Sequence, residues 1–540
     1  MKSSMTPSRL VIITILTIVL LTSCAPLNQQ LSEEIERPEI TVGIYDRGNI
    51  PAEEGTVENN RWTRWINEHS PVKVKFVPIP RGDSVQKYNI LFGSGNAPDL
   101  IIDYDSSFLS QLVSDEQVIP IGDLIDRYST EYKKLLEDYP LVRKLATESD
   151  GNMYLLAQIT GLKTNHALVI RNDWLQALNL AVPRTELELL EVLKAFTYKD
   201  PDKNGLQDTL GINFTGLGPL LDGKIAGGIR PLDMMFRNVG YVVEEGHVVR
   251  AWDQAKAALA YEKQLYQSGV IDPDFLTDKD GEKAKLDFVT GKLGMYWASS
   301  GIEDVYPLLQ RLKKEVPTAD LIAIPLPEGP FGHFNPLAKA PVQFVGAINK
   351  QAANPEAVIQ YLDFMYSKEV LTTLRYGMEG EHHQRNEQGC YQYMNSEKYT
   401  RELSWTLDLY MLSARVILGE CNSLAASLNS GYEIDHKYMS LEAEAEQHAL
   451  NPDREFAFPI WNWPTLSQEL QLANADGAAA LTAIYYRVIT DPLYSVDQAM
   501  QDAQQAWIEA GGEKVDAYYD AWFTDQQDRV ILTDEYYSIR

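Results

Sequence analysis

The first third of the chain alternates short apolar strands with segments whose apolar residues recur at helical period. Residues 39–45 (EITVGIY) form a β-branched run, and residues 57–69 carry apolar positions at helical spacing. Residues 72–80 (VKVKFVPIP) alternate with a period of two, and a helical stretch at 83–94 and an apolar strand at 98–105 follow. This order of strand, helix, strand, helix, strand predicts a parallel sheet covered by helices, and therefore an α/β fold.

The same patterns continue at longer spacing through the middle of the chain. Further strands are predicted in the apolar segments 153–159, 166–171, 320–330 and 341–349, and a helix end joins a strand through Gly291 within 288–300. Residues 354–377 predict an amphipathic helix pair, with Asn354 as the N-cap and Pro355 in the first turn. From about residue 400 the strand patterns fade, and the sequence predicts mainly helices.

The pattern of the N-terminal residues predicts an export signal. Its apolar run at 10–21 follows Lys2 and Arg9 and is shorter than the ~20 residues that a membrane-spanning helix needs. The sequence LTSC at 21–24 then resembles the bacterial lipoprotein processing box, in which the cysteine receives a lipid and becomes the mature N-terminus. We therefore expect a signal peptide at 1–23, lipidation at Cys24 and a polar tether at 24–37. The alternative is an ordinary secretory signal with an incidental cysteine.

Charge narrows the range of partners. The chain has 48 Lys and Arg against 76 Asp and Glu, a net charge of -28, which repels nucleic acid and anionic lipid headgroups. The same excess disfavours polyanionic ligands unless a local basic patch overrides it, so a neutral ligand fits best. Its 29 Tyr, 10 Trp and 15 Phe provide aromatic faces of the kind on which sugars stack, although most aromatic residues in any protein are core.

Two cysteines, Cys390 and Cys421, remain besides Cys24. They are too few for a disulfide scaffold or a zinc cluster, and they could form either one disulfide bridge or two buried thiols.

Several segments together resemble one known family. They are GNAPDLIIDYD, LVIRNDWLQALNL (with Asn179 where glycine is usual), FVTGKLGMYWASS, NPEAVIQYLDFMYSKE, RYGMEGEHH and AWIEAGGEKVDAYYDAW. In this order they resemble the family-1 extracellular solute-binding lipoproteins of ABC importers, of the large oligosaccharide-binding type. The resemblance covers essentially the whole mature chain, although no single segment is decisive.

The resemblance implies a fold and a function. The expected fold is α/β, a two-lobed periplasmic-binding-protein-like fold of the hinged type II, with a helical C-terminal region. The expected lobes are 38–157 with 325–378 and 158–324 with 379–515, followed by a C-terminal tail at 516–540. The protein is expected to be a monomer that captures an oligosaccharide by hinge closure and delivers it to ABC permease subunits on the outer face of the cell membrane. No catalytic step and no nucleic-acid partner are expected.

An acidic loop that begins at Asp200 (DPDKNGLQDTLG) has the spacing of a calcium site. Its predicted ligands are Asp200, Asp202, Asn204, the carbonyl oxygen of Leu206, and Asp208, with Gly205 in the sixth position. Gly211 stands in the twelfth position, where a bidentate Glu is usual, so Thr209, water or a distant carboxylate would complete the site. The resemblance supports a structural calcium ion that braces the second lobe. The alternative is an acidic surface turn without metal.

A sugar site needs aromatic faces and paired polar groups at strand ends and in the loops that follow them. The candidates by position are Tyr45, Asp46, Arg81, Asp103, Trp297, Tyr376, Trp461 and Trp463. If the segment IWNWP is extended, Trp461 and Trp463 face the same way. Each candidate has an alternative role, because strand-end polar residues often cap neighbouring helices and aromatic residues often belong to the core.

Two other functions remain open at this stage. A lipid-anchored polysaccharide-processing enzyme would need two carboxylates, for which Asp103 with Asp105 or Glu244 with Glu245 are available. The sequence has no serine-elbow spacing in FGSGN, and the pair at 382–383 has no HExxH frame, so nothing organises a hydrolytic site. A sugar-sensing ectodomain that partners a receptor kinase would use the same fold.

Overall fold

The computed structural model describes residues 37–148, 150–213, 231–278, 281–298, 301–429, 431–527 and 529–540. The expected signal peptide, Cys24 and the tether up to residue 36 lie outside these ranges. None of the helices within the ranges is long and apolar enough to cross a bilayer.

Eight of the strands of the described residues fall within predicted segments, whereas the short strands at 163–164, 241–244, 247–250, 338–339, 383–385 and 391–393 were not predicted. In chain order they are Glu39–Asp46 (β1), Lys73–Pro80 (β2), Leu100–Ile102 (β3), Leu155–Ile159 (β4), Lys163–Thr164 (β5), Ala167–Arg171 (β6), Tyr241–Glu244 (β7), His247–Arg250 (β8), Met295–Ala298 (β9), Leu321–Ile324 (β10), Ala338–Lys339 (β11), Val342–Ile348 (β12), His383–Arg385 (β13) and Tyr391–Tyr393 (β14).

Helices connect these strands and dominate the C-terminal part. They are Arg61–His69 (α1), Ser84–Gly93 (α2), Ser106–Ser114 (α3), Gly122–Tyr128 (α4), Glu131–Asp138 (α5), Pro140–Ala146 (α6), Asn172–Ala177 (α7), Glu186–Tyr198 (α8), Pro231–Met235 (α9), Trp252–Gln267 (α10), Glu282–Val289 (α11), Val305–Glu315 (α12), Pro355–Tyr366 (α13), Lys368–Tyr376 (α14), Ser396–Glu402 (α15), Glu433–Ala449 (α16), Gln468–Thr490 (α17), Val496–Glu509 (α18) and Gly512–Asp525 (α19). Short 3₁₀ helices lie at Arg81–Asp83, Phe275–Thr277, Ile302–Asp304, Thr406–Tyr410, Arg415–Cys421, Ala425–Ser427 and Thr533–Ile539.

The start of α13 has the predicted cap. The side chain of Asn354 accepts a 3.0 Å hydrogen bond from the N–H of Ala357, and Pro355 occupies the first turn. Proline fits there because the first N–H groups of a helix have no partner within the helix. The prediction for this helix is confirmed.

The first sheet has five strands in the order β2-β1-β3-β12-β4. Strand β1 is parallel to β2 and to β3, as the alternation of strands and helices predicted. Strand β12 lies between β3 and β4 and is antiparallel to both. The expectation of a parallel sheet is therefore right for three strands and wrong for β12. This strand is separated from β4 by almost 200 residues, and its local pattern of apolar residues carries no information about its direction.

The second sheet is smaller and entirely antiparallel, in the order β10-β6-β9. The short strands β5 and β11 pair with each other beside the segments that run between the two sheets. Two hairpins, β7-β8 and β13-β14, complete the strand pairing of the described residues.

Buried apolar residues form separate groups around the two sheets. The first group, core 1, takes most of its members from residues 40–162 and 338–418. Two further groups, cores 2 and 3, flank the second sheet and take theirs from 167–324, with additional residues from α16, α17 and α18. Each sheet is thus covered by its own apolar layer.

Two of the expected chain divisions differ from this packing. Residues between Tyr391 and Leu418 pack in core 1, although the range 379–515 was expected to lie with the second sheet. The expected tail at 516–540 is also packed, since Tyr519 is buried in α19 and Tyr536 and Ile539 are buried in core 1. Most of the apolar residues of 403–418 and 530–539 that pack in this way lie in 3₁₀ helices and irregular segments, where no helix or strand period marks them.

A disulfide links Cys390, next to β14, with Cys421, at the end of a 3₁₀ helix, and their Cα atoms are 5.1 Å apart. Of the two states that the sequence left open, the structure has the bridge. It closes a loop between residues 31 positions apart and holds the β13-β14 hairpin against the 415–421 segment.

Candidate ligand-binding cleft

The ends of β1 and β3 form a polar junction that contains three predicted ligand residues. Tyr45 and Asp103 are buried, and the hydroxyl of Tyr45 donates a hydrogen bond to Asp103 Oδ1 over 2.6 Å. The N–H of Tyr104 donates to the same hydroxyl oxygen over 2.8 Å. The exposed Arg81 guanidinium lies 4.7 Å from the centroid of the Tyr45 ring. Tyr45 and Asp103 thus bind each other and tie the strand ends together.

Two other carboxylates at this edge are engaged by the backbone. Asp46 is exposed, and its Oδ1 accepts a 2.9 Å hydrogen bond from the N–H of Gly48. Asp105 caps α3 by accepting from the N–H groups of Ser107 at 2.9 Å and Phe108 at 3.0 Å. These are the helix-capping and turn-forming roles that were the alternative for strand-end polar residues.

The carboxylate pairs considered for a glycosidase have no catalytic arrangement. Asp103 Oδ1 accepts from the N–H of Asp105, and Asp105 is committed to its helix cap. Glu244 and Glu245 are exposed at the turn of the β7-β8 hairpin.

A cavity of about 280 Å³ lies between core 1 and residues that adjoin core 3, such as Leu424. Its lining combines aromatic rings with charged groups, as a sugar site requires. Tyr376 is the one predicted ligand residue that lines it. The ring-bearing and charged residues of its walls are Tyr376, Tyr393, Tyr399, Tyr410, Lys163, Lys339, Arg375, Arg415 and Glu303.

Tyr376 is held firmly in the wall of this cavity. Its ring stacks on that of Tyr391, with centroids 4.5 Å apart and an interplanar angle of 10°. Its hydroxyl donates to the carbonyl oxygen of Cys421 over 3.3 Å, so the disulfide segment supports the ring. The same residue is therefore partly a core residue and partly a cavity wall.

Asn422 connects the cavity wall to the segment between the sheets. Its Oδ1 accepts a 2.9 Å hydrogen bond from Arg375 Nη1, and its Nδ2 donates to the carbonyl oxygen of Thr160 over 2.7 Å. Thr160 follows β4 directly and lies between the strands of the two sheets. The cavity is thus built beside the chain segment that joins the sheets.

Burial sets the protonation of the cavity side chains. It raises the pKa of Tyr376, Tyr393 and Tyr399, so their hydroxyls stay protonated and can donate hydrogen bonds to sugar oxygens. Burial and the neighbouring Arg375 lower the pKa of Arg415, although an arginine remains charged at neutral pH. The cavity is therefore cationic and rich in donors.

Trp297 lies at the second sheet and not in the wall of this cavity. It belongs to β9, and its half-buried ring is 5.5 Å from that of His166, whose pKa is lowered to about 4 by burial. Its Nε1 is buried and has no hydrogen-bond partner among the described residues. Trp297 stays a prediction as a ligand residue.

Trp461 and Trp463 pack in different directions. The Trp461 ring lies 5.2 Å from that of Tyr536, whereas the Trp463 ring lies 4.9 Å from that of Tyr519. The same facing was expected only for an extended strand, and no strand includes these residues. The side chain of Asn462 between them bonds to the neighbouring 529–531 backbone. Both tryptophans stay predictions as ligand residues.

The acidic loop after α8 brings three carboxylates around one amide. Asn204 Nδ2 donates to Asp202 Oδ2 over 2.9 Å and to Asp208 Oδ1 over 3.1 Å. The N–H groups of Asn204 and Gly205 each donate to an Asp200 oxygen over 3.1 Å. Gly205 has a φ of 80°, which allows the chain to wrap around the carboxylates. The predicted ligand residues are thus gathered in one loop.

The electrostatics of this loop favour a cation. Partial burial raises the pKa of Asp202, as do its hydrogen bond with Asp200 and repulsion from Asp208 and Asp200. The exposed Leu206 donates its N–H to Asn204 Oδ1 over 2.7 Å. A bound cation would relieve the repulsion, and the oxygen donors suit a hard ion such as calcium.

The end of the loop packs on α8. The hydroxyl of Thr209 donates to the carbonyl oxygen of Phe196 over 2.8 Å. A Cβ at Gly211 would lie 2.8 Å from Leu193 Cβ. The glycine in the twelfth position is therefore explained by close packing against the helix.

A second group of possible ligand atoms lies near α15. One atom from each of Glu381, His382 and Glu402 falls within 4.8 Å of the others. Glu402 is buried, and its carboxylate already accepts from Arg61 and Arg401 and lies 3.1 Å from His382 Nε2. These partners neutralise the carboxylate, so the group is an ion-pair network and we assign no metal to it.

Sequence reasoning missed most of the cavity wall. Arg375, Tyr393, Tyr399, Tyr410 and Arg415 line it, and none was among the candidates. The available signals were the period-two tyrosines of YQY at 391–393 and the density of tyrosine and arginine around 375–415. Without the fold, these tyrosines cannot be distinguished from core residues, and these arginines cannot be distinguished from surface residues.

The chain resembles characterised proteins over most of its length. YtcQ of Bacillus subtilis (strain 168), a polygalacturonan/rhamnogalacturonan-binding protein, is 26% identical over 377 residues, which are 68% of this chain and 71% of YtcQ. An extracellular solute-binding protein of Bifidobacterium longum subsp. infantis superposes with a TM-score of 0.69 at 18% identity, covering 90% of this chain and 98% of that one.

A third relative is FusA of Streptococcus pneumoniae. The structure of its EF-hand mutant in complex with fructo-nystose superposes with a TM-score of 0.62 at 19% identity, covering 91% of this chain and 99% of that one. The two superpositions confirm the periplasmic-binding-protein-like α/β fold.

The family model described as "bacterial extracellular solute-binding protein" matches residues 55–371, which are more than half of the chain. The description names solute binding, in agreement with the expectation of no catalytic role. The chain therefore belongs to the bacterial extracellular solute-binding protein family.

Proposed function

We propose that this protein is the lipid-anchored substrate-binding component of an ABC importer and that it captures an oligosaccharide and delivers it to permease subunits. The observation that carries the proposal is the cavity of about 280 Å³, lined by four tyrosines, between the residue groups of the two sheets. Aromatic faces and buried hydroxyl donors suit a carbohydrate. The names of the relatives point the same way, because YtcQ is named for pectic polysaccharides and FusA was crystallised with fructo-nystose.

Two lobes would move relative to each other in this mechanism. We assign the first sheet and the residues up to about 421 to one lobe, and the second sheet with α16 to α18 to the other. This assignment follows the residues that make up core 1 and cores 2 and 3. It moves the point at which the chain returns to the second lobe from the expected residue 379 to about residue 421. Segments that run between the sheets near Thr160 and Lys339 would act as the hinge.

Closure would select the ligand. Tyr376 and Arg415 line one side of the cavity, and Glu303 and Leu424 line the side that adjoins core 3. Only a ligand that contacts both sides favours the closed state over the open state. Binding energy comes from stacking and hydrogen bonds, and no bond of the ligand is made or broken.

Anchoring and calcium complete the proposal. The lipid on Cys24 would hold the monomeric protein at the outer face of the cell membrane, near the permease. Asp200, Asp202, Asn204, Leu206 and Asp208 would hold a calcium ion, which would supply positive charge among the three carboxylates. The loop lies between α8 and the backbone just before β9, since the N–H of Leu210 bonds to the carbonyl oxygen of Lys292. Its role would be to brace this part of the second lobe.

Calorimetric titration of the mature protein with a panel of oligosaccharides tests the proposal. We expect micromolar or tighter binding of at least one glycan, with a decrease in the radius of gyration in X-ray scattering as the lobes close. Chromatography of the same mixtures after long incubation should recover the glycan intact. Cleaved products at a catalytic rate would support the enzyme alternative instead, and no binding across the panel would reject the proposal.

A further inference from the structure

We propose that the ligand is an acidic oligosaccharide, whose uronic-acid carboxylate binds Arg415 and Arg375 in the tyrosine-lined cavity. This inference rests on the proposed function and makes it more specific, because it names the class of sugar. It also reverses the expectation of a neutral ligand that the net charge of -28 suggested.

Arg415 is a half-buried cation with no carboxylate partner among the described residues. Its Nε is buried and has no hydrogen-bond partner in the described part of the chain. In the same part of the chain, no carboxylate oxygen lies within 4.0 Å, the limit for an ion pair, of a guanidinium nitrogen of Arg415 or Arg375. Buried charges are normally paired, since the loss of hydration is otherwise uncompensated.

The fully buried Arg171 follows this rule, because it bonds to the carboxylate of Asp173 at 2.6 Å. The chain contains 76 acidic residues, so counter-ions are abundant. Neither Arg415 nor Arg375 has a carboxylate partner in the described part of the chain, which indicates that a carboxylate from outside completes the site.

The surroundings of the two guanidinium groups keep them available. The guanidinium carbon of Arg415 lies 5.3 Å from the centroid of the Tyr410 ring, and that of Arg375 lies 5.1 Å from the Tyr376 ring. Arg375 uses Nη1 to bond to Asn422, a neutral partner. Aromatic rings hold the cations in place without neutralising their charge.

The whole cavity has a cationic balance. Lys163, Lys339, Arg375 and Arg415 line it, against Glu303 as the one carboxylate among the described lining residues. Lys163 is already paired with Glu446 at 3.4 Å, so the arginines carry the recognition. This patch opposes the field of the acidic chain at the proposed ligand site.

A uronic acid fits these groups better than a neutral sugar. The planar guanidinium fork matches a carboxylate with two parallel hydrogen bonds, and the tyrosine rings provide faces for the sugar. A neutral sugar would leave Arg415 buried without an opposite charge after closure.

The test compares each acid with its own neutral form. The mature protein is titrated calorimetrically with tetramers of galacturonate, mannuronate, guluronate and glucuronate, and with the same tetramers after complete methyl esterification of their carboxyls. We expect at least one acid to bind about tenfold to a hundredfold more tightly than its ester. Added salt should weaken binding of the acid and leave binding of the ester unchanged.

Three variants locate the effect. Arg415→Gln should abolish the preference for the acid, and Arg415→Lys should retain part of it, because lysine keeps the charge but lacks the fork. Arg127→Gln makes the same change of charge at an exposed position on α4 and should retain the full preference. Thermal melting establishes that each variant is folded, and the comparison of acid with ester in the unmodified protein decides the question even if a variant is not.

The outcomes separate the inference from the function on which it rests. Equal affinity for acid and ester, or binding of neutral glycans without any acid, overturns the inference and leaves the oligosaccharide function intact. Failure of every acidic and neutral glycan to bind rejects both. A preference for the acid that persists in Arg415→Gln overturns the assignment of these arginines.

Discussion

The hydroxyl of Tyr45 donates a 2.6 Å hydrogen bond to Asp103 Oδ1 inside core 1. The two residues lie at the ends of β1 and β3, strands whose backbone pairing is limited to the match of Val42 with Leu100. The side-chain bond therefore extends the contact between the strands toward the cleft edge. It also commits two side chains that their positions had marked for ligand binding.

We expect Tyr45→Phe to reduce stability and to change glycan affinity little. The substitution removes the donor to Asp103 and the acceptor of the Tyr104 N–H, both in buried surroundings. Leaving such groups without a partner costs about 1 to 3 kcal/mol of unfolding free energy. Urea denaturation measures this loss. Tyr128→Phe, at an exposed tyrosine of α4, is the control and should be neutral. A variant of normal stability that has lost its glycan affinity would show that Tyr45 contacts the ligand.

A second prediction concerns pH. Burial, with smaller contributions from Glu303 and Glu446, raises the pKa of Glu442 to about 7, against opposing effects of the Ala425 N–H and of Lys163. The folded pKa lies above the unfolded value of about 4.3, so the stability that Glu442 contributes is fully present below that value. It is lost as the pH rises through 7.

The stability of Glu442→Gln relative to the unmodified protein should therefore increase as the pH rises. The difference in unfolding free energy between the two should grow by roughly 3 kcal/mol between about pH 4 and pH 8 and then level off. Urea denaturation across this range measures the difference. Glu387→Gln, at an exposed glutamate, should give a difference that does not change with pH. A constant difference for Glu442→Gln would show that folding does not raise the pKa of this carboxyl.

Local patterns predicted most of the strands and helices but not how the strands pair. β1 and β2 were visible because alternation and β-branched runs depend on neighbouring residues only. The direction of β12 depends on where the chain arrives from after more than a hundred residues, and no local pattern encodes that. The packing of residues 391–418 on core 1 is of the same kind.

The site was harder to predict than the fold. Tyr45 and Asp103 lie at strand ends as expected, but each has its partner 58 positions away, and no local pattern shows that pairing. Arg415 and Tyr410 belong to 3₁₀ segments without a regular period, so nothing in the sequence placed them near Tyr376. The calcium loop was recognisable because all of its side chains come from one short segment.

A third prediction tests the disulfide. The double substitution Cys390→Ser with Cys421→Ser opens a loop of about 30 residues, and we expect a loss of roughly 3 to 4 kcal/mol of unfolding free energy. The carbonyl oxygen of Cys421 accepts the hydroxyl of Tyr376, so glycan affinity should fall as well. Reductant should lower the melting temperature of the unmodified protein and have no effect on the double variant. Equal melting of both proteins under oxidising conditions would contradict the prediction.

The last prediction concerns calcium and the acidic loop. Repulsion from Asp200 and Asp208 contributes to the raised pKa of Asp202, which means that its charged form is disfavoured in the calcium-free fold. In the presence of a chelator, Asp202→Asn should therefore melt at the same temperature as the unmodified protein or higher. In excess calcium the order should reverse, because a ligand bound only to the folded state adds about 2.7 kcal/mol at a hundredfold excess over its Kd. Differential scanning calorimetry under both conditions measures the reversal.

The control is Asp476→Asn, which removes an exposed carboxylate of α17 and should keep the full calcium response. An unmodified protein that melts identically with calcium and with chelator would show that the loop is an acidic turn without metal, and a full response in Asp202→Asn would place the ion elsewhere.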